Sequence, residues 1–143
     1  MPSGAKGGRR GRDPQGAAHK ERTVGNRTEL IDRYLAVWNE TDPGRRGDLI
    51  ARTWTDDASY VDPVMHGEGR AGIDALVQGA QAQFPGHQFR LLGTVDSYQD
   101  RVRFSWELAP DGGAAIVRGT DFGVVAADGR LRAVTGFLDQ VPA

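Results

Sequence analysis

The chain has 143 residues, no cysteine, and 18 Lys and Arg against 19 Asp and Glu, for a net charge of −1. That length is one domain's worth, too short for an eight-stranded α/β barrel or a two-domain dehydrogenase. The missing cysteine excludes disulfides, thiolate metal sites, Fe–S ligation and a cysteine nucleophile, and it fits a reducing compartment.

The charge is unevenly spread. Residues 1–28 carry seven basic and two acidic side chains, and the remainder is acidic. A basic tail on an acidic body argues against a nucleic-acid-binding domain. No apolar run is long enough for a membrane span, and the N-terminus lacks the apolar stretch of a secretory signal. A cytoplasmic protein with no nucleic-acid or membrane partner is the expectation. Residues 1–25 are dominated by Gly, Arg and Lys and are expected to be disordered, leaving one domain over 26–143.

Asn26 and Glu29 have capping-box spacing, and Leu30, Ile31, Tyr34, Leu35 and Trp38 then share one helical face. Asp42-Pro43 predicts a second helix start, carrying Leu49, Ile50 and Trp54. A short strand over 58–62 is stopped by Pro63, and the Gly-rich stretch 66–72 leads to a third helix with Ile73, Leu76, Val77 and Ala80. After Pro85-Gly86 the period becomes two. Strands are predicted at 88–96, around Val102, Phe104, Trp106 and Leu108, at 114–125 and at 130–140, separated by polar and Gly-rich turns. Helices first and an antiparallel meander afterwards make an α+β domain.

Gly67-Glu68-Gly69-Arg70-Ala71-Gly72 matches the dinucleotide-binding pattern, but no βαβ unit surrounds it, so it reads as a turn feeding a helix. With only three histidines, one of them His19 in the tail, no metal cluster is expected.

Three residues carry chemistry. Asp62 ends the short strand two residues after Tyr60, Tyr34 sits on the apolar stripe of the first helix, and Asp121 interrupts an otherwise apolar strand face. A carboxylate on a core face is costly unless it is partnered or protonated. Gly119 and Gly123 flank Asp121 and are expected to make room for a ligand there.

Arg33-Tyr34 with Asn39, the stretch from Trp54 through Asp57-Ala58 to Asp62-Pro63-Val64, and the run from Val102 through Asp121 to about Leu138 together resemble the NTF2-like cone. Within it the sequence is similar to ketosteroid isomerases and SnoaL-like polyketide cyclases. The resemblance implies three N-terminal helices packed on a curved, mostly antiparallel sheet, and a cofactor-free enzyme acting on a small hydrophobic carbonyl compound. The isomerase pattern puts the general base on Asp62. It puts the oxyanion-hole donors on Tyr34 and a protonated Asp121, the arrangement that serves as a worked example of acid/base tuning in ketosteroid isomerase. The cyclase pattern instead makes Asp121 the acid/base carboxylate. Trp38, Trp54, Tyr60, Phe104, Trp106, Leu108 and Val117 are the expected substrate-binding wall. A non-catalytic binding module stays open as an alternative. So does an epoxide hydrolase with an Asp–Arg–Asp relay, for which Arg118 faces the wrong way and Arg70 is the substitute. The opposite sheet face, with Ile116, Arg118, Thr120, Phe122, Val124 and Phe137, is expected to form a homodimer.

Overall fold

The computed structural model describes the backbone of residues 14–142 and the side chains of residues 26–142. Three helices and six strands follow in the order α1 (Pro14–Asn39), α2 (Pro43–Thr53), β1 (Trp54–Val61), β2 (His66–Glu68), α3 (Gly69–Gln83), β3 (His87–Tyr98), β4 (Arg101–Pro110), β5 (Val117–Val125) and β6 (Leu131–Gln140). The strands form one curved sheet in the order β2-β1-β6-β5-β4-β3. All neighbours are antiparallel except β1 and β6, which run parallel. The domain is the expected α+β, NTF2-like cone.

Local chemistry accounts for the helix positions. Asp42 caps α2 by accepting the Arg45 amide at 2.8 Å, with Pro43 in the first turn where a missing N–H costs nothing. Buried Leu30, Ile31, Tyr34, Leu35 and Trp38 form the stripe by which α1 packs on the sheet. Its end is pinned by Asn39, whose amide donates to the Phe89 carbonyl and accepts the Phe89 N–H. Arg46 is fully buried and joins α2 to α3 through a 2.6 Å ion pair with Asp74, and it also donates to the Glu40 carbonyl.

Strict alternation sets the two faces of the meander. In β4, Val102, Phe104, Trp106 and Leu108 point inward, and in β5 Val117, Gly119, Asp121, Gly123 and Val125 do so. Gly129, in the turn after Asp128, adopts a φ of +88°, which a residue with a Cβ adopts only with strain.

Four boundaries differ from the sequence reading. Helix α1 is already helical at Pro14, so Asn26 is not its cap; residues 1–13 and the side chains of 14–25 lie outside the described residues. Trp54 begins β1 instead of closing α2, because a large aromatic on the core side serves either period. The Gly-rich stretch contributes a short strand, β2, paired to β1. Ile116 precedes β5 and packs against the core, so it is not part of the outer face. Among the described residues no helix is long and apolar enough to cross a membrane.

Candidate active site

The concave side of the sheet and the facing helices α1 and α3 enclose a cavity of about 440 Å³. Its walls are mostly apolar, with Leu35, Leu76, Ala80, Phe89, Leu108 and Leu138 among them. Its polar side chains are few, which is the general character of a small-molecule site.

Asp121 lies in this wall and is 2 % exposed. Its Oδ2 accepts the Tyr34 hydroxyl at 2.6 Å and its Oδ1 accepts the Trp106 indole N–H at 2.9 Å. Three elements therefore converge on one carboxylate: α1, β4 and β5. Burial pushes the Asp121 carboxyl up to about 6; the two donors pull it back, and the charges of Asp62 and Asp139 add to the rise. Tyr34 is itself raised well above a normal phenol, first by burial and then by the neighbouring Asp121, so it stays protonated.

A second hydroxyl–carboxylate pair sits on β1 and the turn after it. Tyr60 donates to Asp62 Oδ2 at 2.7 Å, while Asp62 Oδ1 accepts the amides of Val64 and Met65, both at 2.9 Å. Asp62 thus also builds the turn, as expected of an Asp before proline. Burial and the charges of Asp121 and Asp62 raise Tyr60 far beyond its usual value.

Gly136 brings the two pairs together. It opposes Asp121 across the β5–β6 ladder. A Cβ there would meet Asp121 Oδ1 at 2.9 Å, and Asp62 Cβ and Tyr60 Oη at 3.2 Å. The Asp121 carboxylate, the Tyr60 hydroxyl and the β-carbon of Asp62 therefore crowd around the glycine. The sequence reading missed Gly136; an isolated glycine inside an alternating strand was the available signal of such an approach.

Of the expected wall, Trp38, Tyr60, Trp106, Leu108 and Val117 line the cavity, as do Tyr34, Asp62 and Asp121. Trp54 and Phe104 do not. They pack behind Tyr34, with ring centroids at 5.7 and 5.2 Å, and hold that ring in place. Gly119 and Gly123 leave no ligand space. Trp106 occupies the room at Gly119, which lets its indole reach Asp121, and Val102 and Leu131 occupy the room at Gly123. Arg70 is absent from the cavity wall. It donates to the carbonyls of Ala51 and Trp54, while Arg118 lies on the outer face, so among the described residues no arginine reaches Asp121 for an Asp–Arg–Asp relay. Among the described residues no three His, Asp or Glu side chains gather to hold a metal ion.

Residues 31–134 match the family model of the SnoaL-like domain. The chain belongs to the SnoaL-like family. A solved SnoaL-like family protein from Agrobacterium tumefaciens, proposed to be an isomerase, is 41% identical. The alignment covers 80% of this chain and 98% of that one, with a TM-score of 0.77. A SnoaL-like protein from Jannaschia, proposed to be a polyketide cyclase, shares the fold at 20% identity and a TM-score of 0.66, covering 81% and 87% of the two chains. An NTF2-like protein of unknown function from Exiguobacterium does so at 22% identity and 0.62, covering 77% and 98%. A search of curated proteins gives no match. In this SnoaL-like chain the matched region includes Tyr34, Asp62, Trp106 and Asp121, so both hydroxyl–carboxylate pairs belong to the family domain.

Proposed function

We propose that the protein is an acid/base catalyst that isomerises or cyclises a hydrophobic carbonyl compound through an enolate, with Asp121 as the carboxylate that moves the proton. The observation that carries this reading is a buried, partnered carboxylate in the wall of an apolar cavity, raised to about 6. At neutral pH such a group is ionised in about nine molecules of ten, yet a proton bound to it is held more firmly than on an ordinary aspartate.

The chemistry follows from that balance. Asp121 takes a proton from the carbon next to a carbonyl, and the electron pair moves to the carbonyl oxygen. Tyr60, kept protonated and lining the cavity, donates to that oxygen by turning its hydroxyl away from Asp62 when the ketone is bound. Protonated Asp121 then returns its proton to another carbon, giving an isomer. Alternatively, it gives the proton to the alkoxide formed when the enolate closes on a second carbonyl, giving a ring. Atoms and electrons balance in both without a redox partner.

The isomerase assignment, with Asp62 as base and Asp121 as a protonated donor, fits this geometry less well. Both oxygens of Asp62 are already engaged, accepting hydrogen bonds from Tyr60, Val64 and Met65 that build the turn. Both oxygens of Asp121 accept, and the Tyr34 proton is directed at Asp121. The cyclase-type role for Asp121 is therefore the one we adopt, with Asp62 as a fixed neighbouring charge. The names of the Agrobacterium and Jannaschia structures, an isomerase and a polyketide cyclase by proposal, support the same reaction class.

The test is an assay on a β,γ-unsaturated 3-ketosteroid, following conjugated enone absorbance, with Asp121→Asn and Asp62→Asn beside the wild type. Turnover lost in Asp121→Asn and retained in part by Asp62→Asn supports the assignment. Turnover abolished only by Asp62→Asn overturns it. We further propose a homodimer through the outer sheet face, where Phe122 and Phe137 are exposed on adjacent strands.

A further inference from the structure

We infer that the cavity is also a receptor for hydrophobic organic cations, protonated or quaternary amines, which bind with their nitrogen facing Asp121 and the aromatic wall. The inference rests on the cavity alone and not on the turnover proposed above.

Two independent features of the wall support it. The first is charge. Asp62 and Asp121 both line the cavity, and no Lys, Arg or His does so among the described residues. The hydrogen bonds that Asp121 receives come from a hydroxyl and an indole, both neutral. A negative charge placed in low dielectric without a counter-ion attracts any cation that can follow it there, and repels a carboxylate or phosphate.

The second feature is the aromatic lining. Trp38, Tyr60, Phe89 and Trp106 form a continuous run, with ring centroids 5.4 Å apart for Trp38 and Tyr60, 5.7 Å for Trp38 and Phe89, and 5.3 Å for Phe89 and Trp106. All four line the cavity. Aromatic faces around a desolvated ammonium each add attraction, tryptophan most of all. A neutral ketone uses the hydroxyls of this site; a cation uses its charge and its rings together.

The groups that bear on Asp121 are Tyr34 from α1, Tyr60 from β1, Asp62 from the turn after it, and Asp139 from β6; Gln83, from α3, is uncharged. Asp121 changes charge at about 6. Cation affinity therefore rises with pH through that value and levels off above it.

The experiment compares benzyltrimethylammonium with neopentylbenzene, its uncharged isostere of the same shape, and with phenylacetate. Binding is read from the intrinsic tryptophan fluorescence of the full chain at pH 7.5 and pH 5.0. The expected result is a cation at least tenfold tighter than the isostere at pH 7.5, losing about tenfold by pH 5.0, with phenylacetate not binding. Asp121→Asn removes the pH dependence while leaving the isostere's affinity in place. Equal or tighter binding of the neutral isostere at pH 7.5 overturns the inference, and the wild-type pH comparison decides it even if the variant does not fold. A protein that binds the cation but turns over no ketone would sink the enzymatic reading and leave this one standing.

Discussion

Asp121 and Gly136 are partners across the β5–β6 ladder, and the carboxylate of the first fills the space above the α-carbon of the second. The strand geometry at Gly136 does not require a glycine; the neighbours do. A methyl group there would sit 2.9 Å from Asp121 Oδ1 and 3.2 Å from Tyr60 Oη. Gly136→Ala is therefore expected to fold with a loss of about 1–3 kcal/mol from overpacking. Its activity is expected to fall further than its stability, because the displaced group is the proposed proton carrier. Urea unfolding beside the enone assay checks this; full activity in the variant would remove Gly136 from the site.

Asp62 and Tyr34 are expected to move the acid limb of the rate profile in opposite directions. The charge of Asp62 raises Asp121, so Asp62→Asn lowers the apparent pKa below about 6. The Tyr34 hydroxyl lowers Asp121, so Tyr34→Phe raises it, with the burial that dominates the shift left intact. The dependence of kcat/KM on pH reads both. Shifts of the same sign would contradict the electrostatic account.

Asp121 also couples stability to pH. Its carboxyl is raised in the folded state, from 3.8 to about 6, so the folded protein binds the extra proton between those values. Stability attributable to this group thus increases as pH falls from about 6 to about 4, and is lost as pH rises through 6. A shift of two units corresponds to at most about 3 kcal/mol. Asp121→Asn is accordingly expected to be more stable than the wild type at pH 7.5 and to lose that advantage near pH 4. Thermal unfolding across this range measures it. A wild type that is the more stable at pH 7.5 would count against it.

The Arg46–Asp74 pair predicts an asymmetry. Arg46 is 3 % exposed at its side chain and Asp74 30 %. Removing Asp74 strands a buried cation, whereas removing Arg46 leaves a carboxylate that water can reach. Asp74→Ala is expected to cost about 3 kcal/mol and Arg46→Met less than half of that. Equilibrium unfolding in urea distinguishes them, since a purely additive contact would make the two losses equal.

The outer face predicts an assembly. Phe122 opposes Thr135 while Phe137 opposes Thr120, which makes the two rings diagonal neighbours on one exposed surface. Light scattering at micromolar concentration is expected to give twice the chain mass, falling to the chain mass in Phe122→Ser/Phe137→Ser. A monomeric wild type would rule the interface out.

Much of this architecture was legible in the residues. The stripe of Leu30, Ile31, Tyr34, Leu35 and Trp38 and the alternation of Val102, Phe104, Trp106 and Leu108 are burial patterns, and burial is what periodicity reports. Asp42-Pro43 named its own helix start because capping is local chemistry. What escaped was relational. Trp54 and Phe104 look the same in sequence as Trp38 and Trp106, and only the packing of Tyr34 decides which rings stand behind the wall. Gly119 signals an approach without saying whether an indole or a ligand makes it. The Tyr34–Asp121 bond joins residues 87 apart in sequence, and no local rule reaches that far.

The parallel pairing of β1 with β6 has a bearing on how the protein comes into being. Strand β6 lies between β1 and β5, so within the described sheet it is the bridge from the edge holding Tyr60 to the strands holding Asp121. It is also the last strand among the described residues. During synthesis the helices and β1 emerge long before the partner that unites them with the rest, and contacts of such sequence separation close slowly. A nascent chain halted before β6 therefore carries Tyr60 and Asp121 on separate pieces of sheet, and the proposed site is completed in one step, when β6 pairs with both.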